Sequence, residues 1–270
     1  MTAIVGIVVG LLVIFLANGM EGDPAIVLIK SGAAMIVFGG TFAAVLVDSG
    51  PASMLAAVRG LLWLIRPPRT DGAAFIEDLT EWARTSRAKG ALSLEPVIDE
   101  VADRFVKIGL RNFVDGRAYE ELRDTLYLVG EVEDREHEVC SQVWEAAGGY
   151  APTIGVLGAV LGLIHVMLNL SHPELMGGGI ATAFVATVYG VGSANLIFLP
   201  LGARLKSIVR ARMTYREMVI QGLLLMKKEA PPMAIRDQLE ALLESRRKVR
   251  KELAGASADL AVEPQPTGAD

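Results

Sequence analysis

Four long stretches without a carboxylate, arranged as two close pairs, constrain this 270-residue chain more than any other feature. Residues 3–20 and 175–203 contain no Asp, Glu, Lys or Arg, and residues 25–47 contain only Lys30. Residues 150–171 also lack all four, with His165 as the one group titrating near neutrality. About 20 helical residues cross the hydrocarbon core of a bilayer, and each stretch meets or nearly meets that length. The pattern predicts an all-α integral membrane protein with four transmembrane helices near 2–20, 25–47, 151–170 and 177–203. Very short turns close the two pairs, Glu21-Gly22-Asp23-Pro24 and Ser171-His172-Pro173-Glu174. A composition 52% hydrophobic and 21% charged agrees with a membrane protein. The formal net charge of −5 and 6% aromatic content exclude a nucleic-acid surface of basic residues and stacked rings. Cys140 is the single cysteine, which excludes an intrachain disulfide and a cysteine-rich metal site.

The basic residues orient the spans. Twelve Lys and Arg fall between Arg59 and Arg135, thirteen from Arg204 onward, and Lys30 is the only other. Neither short turn carries one. By the positive-inside rule both turns face outward, while both termini and the long middle segment are cytoplasmic. The first stretch lacks a basic n-region and an A-x-A-like cleavage site, so it reads as a retained anchor.

Between the pairs the pattern is helical throughout. Pro51 to Arg66 places Leu55, Val58, Leu62 and Ile65 at helical spacing beside Arg59, Arg66 and Trp63, as in an amphipathic helix on the inner membrane surface; a buried connector is the alternative. Phe75, Leu79 and Trp82 form a stripe ended by Gly90. Val97, Val101, Phe105 and Ile108 form a second, ended near Asp115-Gly116. Further helices are expected over 119–129 and from about Glu131 into the third span. No strand alternation or nucleotide-binding glycine pattern occurs. The expected organisation is thus spans one and two in 1–50, an interfacial amphipathic helix in 51–68 and a cytoplasmic helical domain in 69–149. Spans three and four follow in 150–203, then a cytoplasmic helical extension in 204–253 and a disordered tail in 254–270.

His137, His165 and His172 are scattered without metal-ligand spacing, and no nucleophile–base arrangement stands out, so neither a metal, a cofactor nor an enzymatic activity is expected. Proton movement across a membrane needs an ionisable relay at depth, usually Asp or Glu. The four spans contain none. Lys30 is either snorkelling to the outer surface or functional, and His165 is either a packing residue or a weak relay. Spans three and four instead offer small and hydroxylated residues: Gly155, Gly158, Ala159 and Gly162, then Thr182, Ala186, Thr187, Gly190, Gly192 and Ser193. Glycines at this spacing let another helix approach closely. Pro152 and Pro200, near the cytoplasmic ends, free backbone carbonyls that can bind water or a cation. The combination reads as the wall of an ion pathway whose acid comes from a partner.

The run Gly149-Tyr-Ala-Pro-Thr-Ile-Gly-Val-Leu-Gly-Ala-Val-Leu-Gly162, followed by Ser171-His-Pro-Glu, Ala183-Phe-Val-Ala-Thr-Val-Tyr-Gly190 and Leu196-Ile-Phe-Leu-Pro-Leu201, resembles the A subunit of the bacterial flagellar stator, the MotA/PomA family. Ser86-Arg-Ala-Lys-Gly-Ala-Leu-Ser-Leu-Glu95 and Phe113-Val-Asp-Gly116 extend the resemblance over about residues 3–250, closer to the PomA or MotC branch. It implies a motor unit in the inner membrane, five A subunits around two MotB/PomB-type B subunits, each B subunit supplying a transmembrane aspartate. It also implies a rotor switch ring as partner, with Arg87 and Glu95 matching the charged residues that face the rotor. Pro152 and Pro200 match its pathway prolines. In sodium-type relatives threonines stand where this chain has Ala159 and Ala186, whereas Thr187 keeps the hydroxyl common to both types. Dehydrated sodium needs several oxygen ligands and a proton needs only a carboxylate and water, so the two alanines favour H+ over Na+. The alternative within the superfamily is a TolQ/ExbB-like energiser of outer-membrane transport, which has three spans. A membrane scaffold without ion flux is the alternative outside it.

Overall fold

The computed structural model describes residues 2–20, 29–68 and 70–260, and these are built from helices alone. The turn Glu21-Gly22-Asp23-Pro24 and the last ten residues lie outside them. Two compact units divide the chain: residues 1–68 with 133–211, and residues 69–132 with 212–270.

The first unit holds α1 (Thr2–Met20), α2 (Ser31–Ala34), a wide π turn (Met35–Gly39), α3 (Gly40–Gly60) and α4 (Leu62–Ile65). It also takes most of α8 (Tyr119–Leu168), all of α9 (Pro173–Ser193) and a second π turn (Ala194–Phe198), and the first part of α10 (Leu199–Lys227). Three helical runs among the described residues are long and apolar enough to cross a membrane: Ser31–Ile65, Tyr119–Leu168 and Pro173–Lys227. The 50 residues of α8 are more than twice the length a bilayer needs, so only its apolar C-terminal part can be a span.

The direction of α3 breaks at Gly50, whose φ of 74° and ψ of 167° are open to glycine and strained for other residues, and Pro51 restarts the helix with φ preset. Ala57 and Gly60 then face α8: the Cys140 thiol donates to the Ala56 carbonyl, the Trp144 indole N–H donates to Ala57, and Trp63 meets His137 edge-on at 4.7 Å. Leu55, Val58, Leu62 and Ile65 remain exposed as one apolar stripe. Against α10, Ile7 of α1 joins Leu64, Leu201 and Leu205, and Gly10 receives the Leu196 side chain.

In the second unit, α5 (Gly72–Lys89), α6 (Glu95–Glu100), α7 (Arg104–Val114), the start of α8, the end of α10 and α11 (Pro232–Leu260) enclose one core. Phe105, Leu79, Leu110, Leu126, Leu223 and Leu239 are at its centre, each 1% exposed or less. Asp71 and Asp103 cap α5 and α7 by accepting two backbone N–H groups apiece, satisfying donors that a helix start leaves orphaned. Arg216 is the largest fully buried side chain and lays its guanidinium over the Phe105 ring at 5.7 Å, so its charge is met partly by a π face.

Three expectations about this unit need correction. The stripe Val97–Ile108 is not one helix: Asp103 starts α7 afresh, and Val106, Gly109 and Leu110 replace Ile108 as the buried face. Conversely, the expected break near Val129-Gly130 does not occur and α8 runs straight through. A mid-helix glycine costs about 1 kcal/mol, and α8 absorbs it here, with the Phe105 ring lying at ordinary van der Waals distance beside Gly130. The final helix also continues past Ala254 to Leu260, with Ala254, Ala256, Ala258 and Leu260 favouring the helix across Gly255, Ser257 and Asp259.

Candidate functional site: the open face of α8 and α9

The two apolar helices α8 and α9 form an antiparallel hairpin closed by a tight turn, in which Asn169 N–H bonds to Val166 O and His172 N–H bonds to Asn169 O. Their contact is backbone on backbone. A Cβ on Gly190 would stand 2.6 Å from the Ala151 carbonyl oxygen and 2.8 Å from Gly155 Cα. One on Gly162 would stand 2.8 Å from both Ala183 N and Gly179 O, and one on Gly158 would stand 2.8 Å from the Ala186 methyl. The seam is therefore Ala151, Gly155, Gly158 and Gly162 against Gly190, Ala186, Ala183 and Gly179. In a lipid environment no hydrophobic effect drives helices together, so this close approach carries the pairing.

Each residue of a right-handed helix turns about 100° from the last. On antiparallel helices seen from one end, those turns run in opposite senses. Residues one position past the seam therefore emerge on the same side from both helices. That side carries Pro152, Val156, Ala159 and Leu163 of α8 with Ile180, Phe184, Thr187 and Val191 of α9. Val156, Leu163, Ile180, Phe184 and Val191 are all exposed there, Phe184 by 71%. Residues one position before the seam emerge opposite, where α2 and its π turn pack: Ile154 meets Gly40, and Val185 and Ala186 cluster with Ala33 and Val37.

This geometry sorts the expected pathway residues. Pro152, Ala159 and Thr187 share the open side. The Thr187 hydroxyl donates to Ala183 O at 3.3 Å, which leaves its oxygen lone pairs for a ligand or water. Ala186 is fully buried in the seam under Gly158, so its small size is used for packing. Pro200 sits near the start of α10, one residue past Leu199, which packs on Gly148. Proline has no N–H and its ring collides with the carbonyl four residues back. The π turn Ala194–Phe198, in which Leu199 N–H reaches Ala194 O, widens the helix just ahead of that ring. Pro152 interrupts nothing, and α8 continues through it without the N–H that the Gly148 carbonyl would otherwise accept.

His165 faces the α2 side. It lines a cavity of about 300 Å³ with Ile36, Gly179 and Thr182, and its Nε2 lies 3.5 Å from Asn169 Nδ2. It has no place on the open face. Lys30 heads α2, and its backbone N–H donates to the Tyr189 hydroxyl at 3.4 Å. Arg87 in the last turn of α5 and Glu95 at the start of α6 are both exposed. They flank a corner made by Gly90, with φ of 85°, and the short 3-10 turn Ala91–Leu94. No His, Cys, Asp or Glu group fit to hold a metal ion occurs among the described residues. The close approach of α10 to α8 at Gly202, which meets Glu145, was not legible in advance: Gly202 stands alone in sequence, without a small-residue repeat to mark it.

Fold and face together define a class, an all-helical membrane protein whose two most closely paired helices present one open, acid-free side. The profile of the MotA/TolQ/ExbB proton channel family matches residues 97–218. Motility protein A of Bacillus subtilis is 30% identical over 253 residues, 92% of this chain and 93% of the relative. Motility protein A of Helicobacter pylori is 30% identical over 225 residues, 83% of this chain and 87% of the relative. The chain belongs to the MotA/TolQ/ExbB proton channel family. Its fold is similar to that in the Campylobacter jejuni MotAB structure, with a TM-score of 0.82 and 26% identity over 89% of this chain and 94% of that one. The flagellar MotAB stator complex of Bacillus subtilis gives a TM-score of 0.81 and 28% identity over 92% and 97%. The protein is accordingly membrane-embedded.

Proposed function

We propose that this chain is the A-type subunit of a flagellar motor stator, conducting protons inward with a MotB-type B subunit and turning that flow into torque. One observation carries the reading: relatives named motility protein A and the solved MotAB complexes match nearly the whole chain, far beyond the segment common to the wider family. That whole-chain match favours it over a TolQ/ExbB-like energiser. The open side of α8 and α9 supports it physically, because a face with Thr187 and no carboxylate suits a helix that brings its own aspartate.

Four spans are proposed, with α1 as the first, both termini inside and the protein in the inner membrane. The exposed stripe Leu55, Val58, Leu62 and Ile65 beside Arg59 and Arg66 supports a helix on the inner membrane surface. A ring of five A subunits around two B subunits is the assembly proposed. Each proton then delivers about 2.3 kcal/mol per 100 mV of membrane potential.

The ion is proposed to be H+. On the open face Ala159 contributes no oxygen, and Ala186 is packed away, so Thr187 stands as the one side-chain hydroxyl among the three compared positions. Rotation driven by this chain with its B subunit is expected to persist in sodium-free medium and to stop with a protonophore. Rotation that tracks external sodium and resists the protonophore would overturn the assignment.

Arg87 and Glu95 are proposed as the rotor contact, since both project from the Gly90 corner into solvent. Single exposed charges add little to stability, so reversing them leaves folding intact. Arg87→Glu and Glu95→Lys are each expected to impair swimming while membrane levels stay at wild type. Normal swimming in both strains would remove the rotor-contact assignment.

A further inference from the structure

The open strip on α8 has a foot, and the foot is built around a carboxylate. Glu145, Pro152 and Ala159 are seven residues apart and so follow one line along the helix, in steps of about 10.5 Å. Below Pro152, α10 closes over that line. A Cβ on Gly202 would lie 2.9 Å from Glu145 Cγ and 3.1 Å from Glu145 N, so α10 rests directly on the Glu145 backbone. Within this closure Lys206 Nζ donates to both Glu145 oxygens, at 2.9 and 3.1 Å. The side chains are 35% exposed for Glu145 and 44% for Lys206, so each is half sheltered and still reaches water. No Asp or Glu lies between Ala146 and Pro173 or between Leu175 and Arg216. Glu145 is therefore the first acid met on α8, α9 or α10 on the way down from Thr187 and Ala159.

We propose that Glu145 is the intracellular exit group of the ion path, with Lys206 as its counter-charge while it is empty. The proposal rests on the proton-conducting reading above and adds the step that follows the partner's acid. A proton leaving that acid passes along water beside Pro152. The O–H bond to the last water breaks as an O–H bond to a Glu145 oxygen forms. The neutral acid no longer holds Lys206 by charge, and the flexible lysine stem lets its ammonium turn to cytoplasmic water. Loss of the proton to that water restores the pair, with one proton moved inward and no group changed. Conduction needs a site that binds well enough to be entered and weakly enough to be left, and a carboxylate with a competing cation at the water boundary meets both demands.

The test uses the full chain co-produced with its B subunit in cells lacking other stators, reading proton influx with an internal pH dye and rotation speed on tethered cells. Glu145→Gln keeps the shape and loses the proton-carrying charge. It is expected to lower influx and speed about ten-fold or more, with unchanged membrane level and unchanged co-purification of the B subunit. Lys206→Met breaks the same pair and leaves the carboxylate, and is expected to keep at least about half of the wild-type influx. Wild-type influx in Glu145→Gln, or equal large losses in both variants, would reduce the pair to a structural tie and overturn the proposal. Should Glu145→Gln fail to accumulate, Lys206→Met decides by itself: retained influx supports the exit role and a severe loss overturns it. Absence of proton influx in the wild-type complex would instead overturn the functional reading on which the proposal stands.

Discussion

Replacing Gly190 by valine is expected to prevent a stable α8–α9 hairpin and so to abolish assembly. Even the first added carbon would lie 2.6 Å from the Ala151 carbonyl oxygen and 2.8 Å from Gly155 Cα, both backbone atoms that cannot rotate aside. Overpacking a tight site costs about 1–3 kcal/mol or more, and within lipid no hydrophobic gain offsets the lost contact between the helices. Gly192 is the control, because nothing lies within 4 Å of a Cβ there. Membrane level, detergent melting temperature and co-purification of the B subunit should collapse for Gly190→Val and stay at wild type for Gly192→Ala. Equal behaviour of the two variants would show that the seam does not hold the hairpin.

Pro152→Leu is expected to eliminate torque in a protein that assembles normally. Leucine supplies the N–H that the Gly148 carbonyl lacks, and a helix-interior proline costs about 3 kcal/mol relative to ordinary residues, so the helix should gain stability. A loss of function therefore cannot be assigned to unfolding. It would come from the open face, where Pro152 sits in line with Ala159 above the Glu145–Lys206 closure and where a bonded carbonyl no longer meets water. Tethered-cell torque together with B-subunit co-purification checks this. Full torque at normal assembly would remove Pro152 from the pathway.

Much of this architecture was legible from residue order. Apolar length marks the membrane-crossing helices, Gly90 stops α5 as the stripe of Phe75, Leu79 and Trp82 suggests, and Pro231-Pro232 separates α10 from α11. These signals are local: a missing N–H, a positive φ or a run of uncharged side chains acts whatever surrounds it. The boundaries that failed were those set by neighbours. Gly130 reads as a break until α8 is seen to run through it, held in the packed core beside Phe105. Val97 to Ile108 reads as one stripe until Asp103 is seen to cap a second helix.

The candidate site divides the same way. Residue order by itself determined that spans three and four carry glycines, hydroxyls and prolines but no acid, because those are properties of composition along a helix. It determined as well that Ala159 and Ala186 offer no ligand oxygen. Only the tertiary structure decided that Ala186 lies in the seam while Ala159 and Thr187 share the open face. That follows from the antiparallel pairing, which fixes the side on which each residue emerges. It alone brought Glu145 under Lys206, 61 residues away in sequence. Helical periodicity records which residues of one helix share a face; which face meets which partner is set by how closely two backbones can approach, and here five glycines in the α8–α9 seam and Gly202 beneath it make that choice.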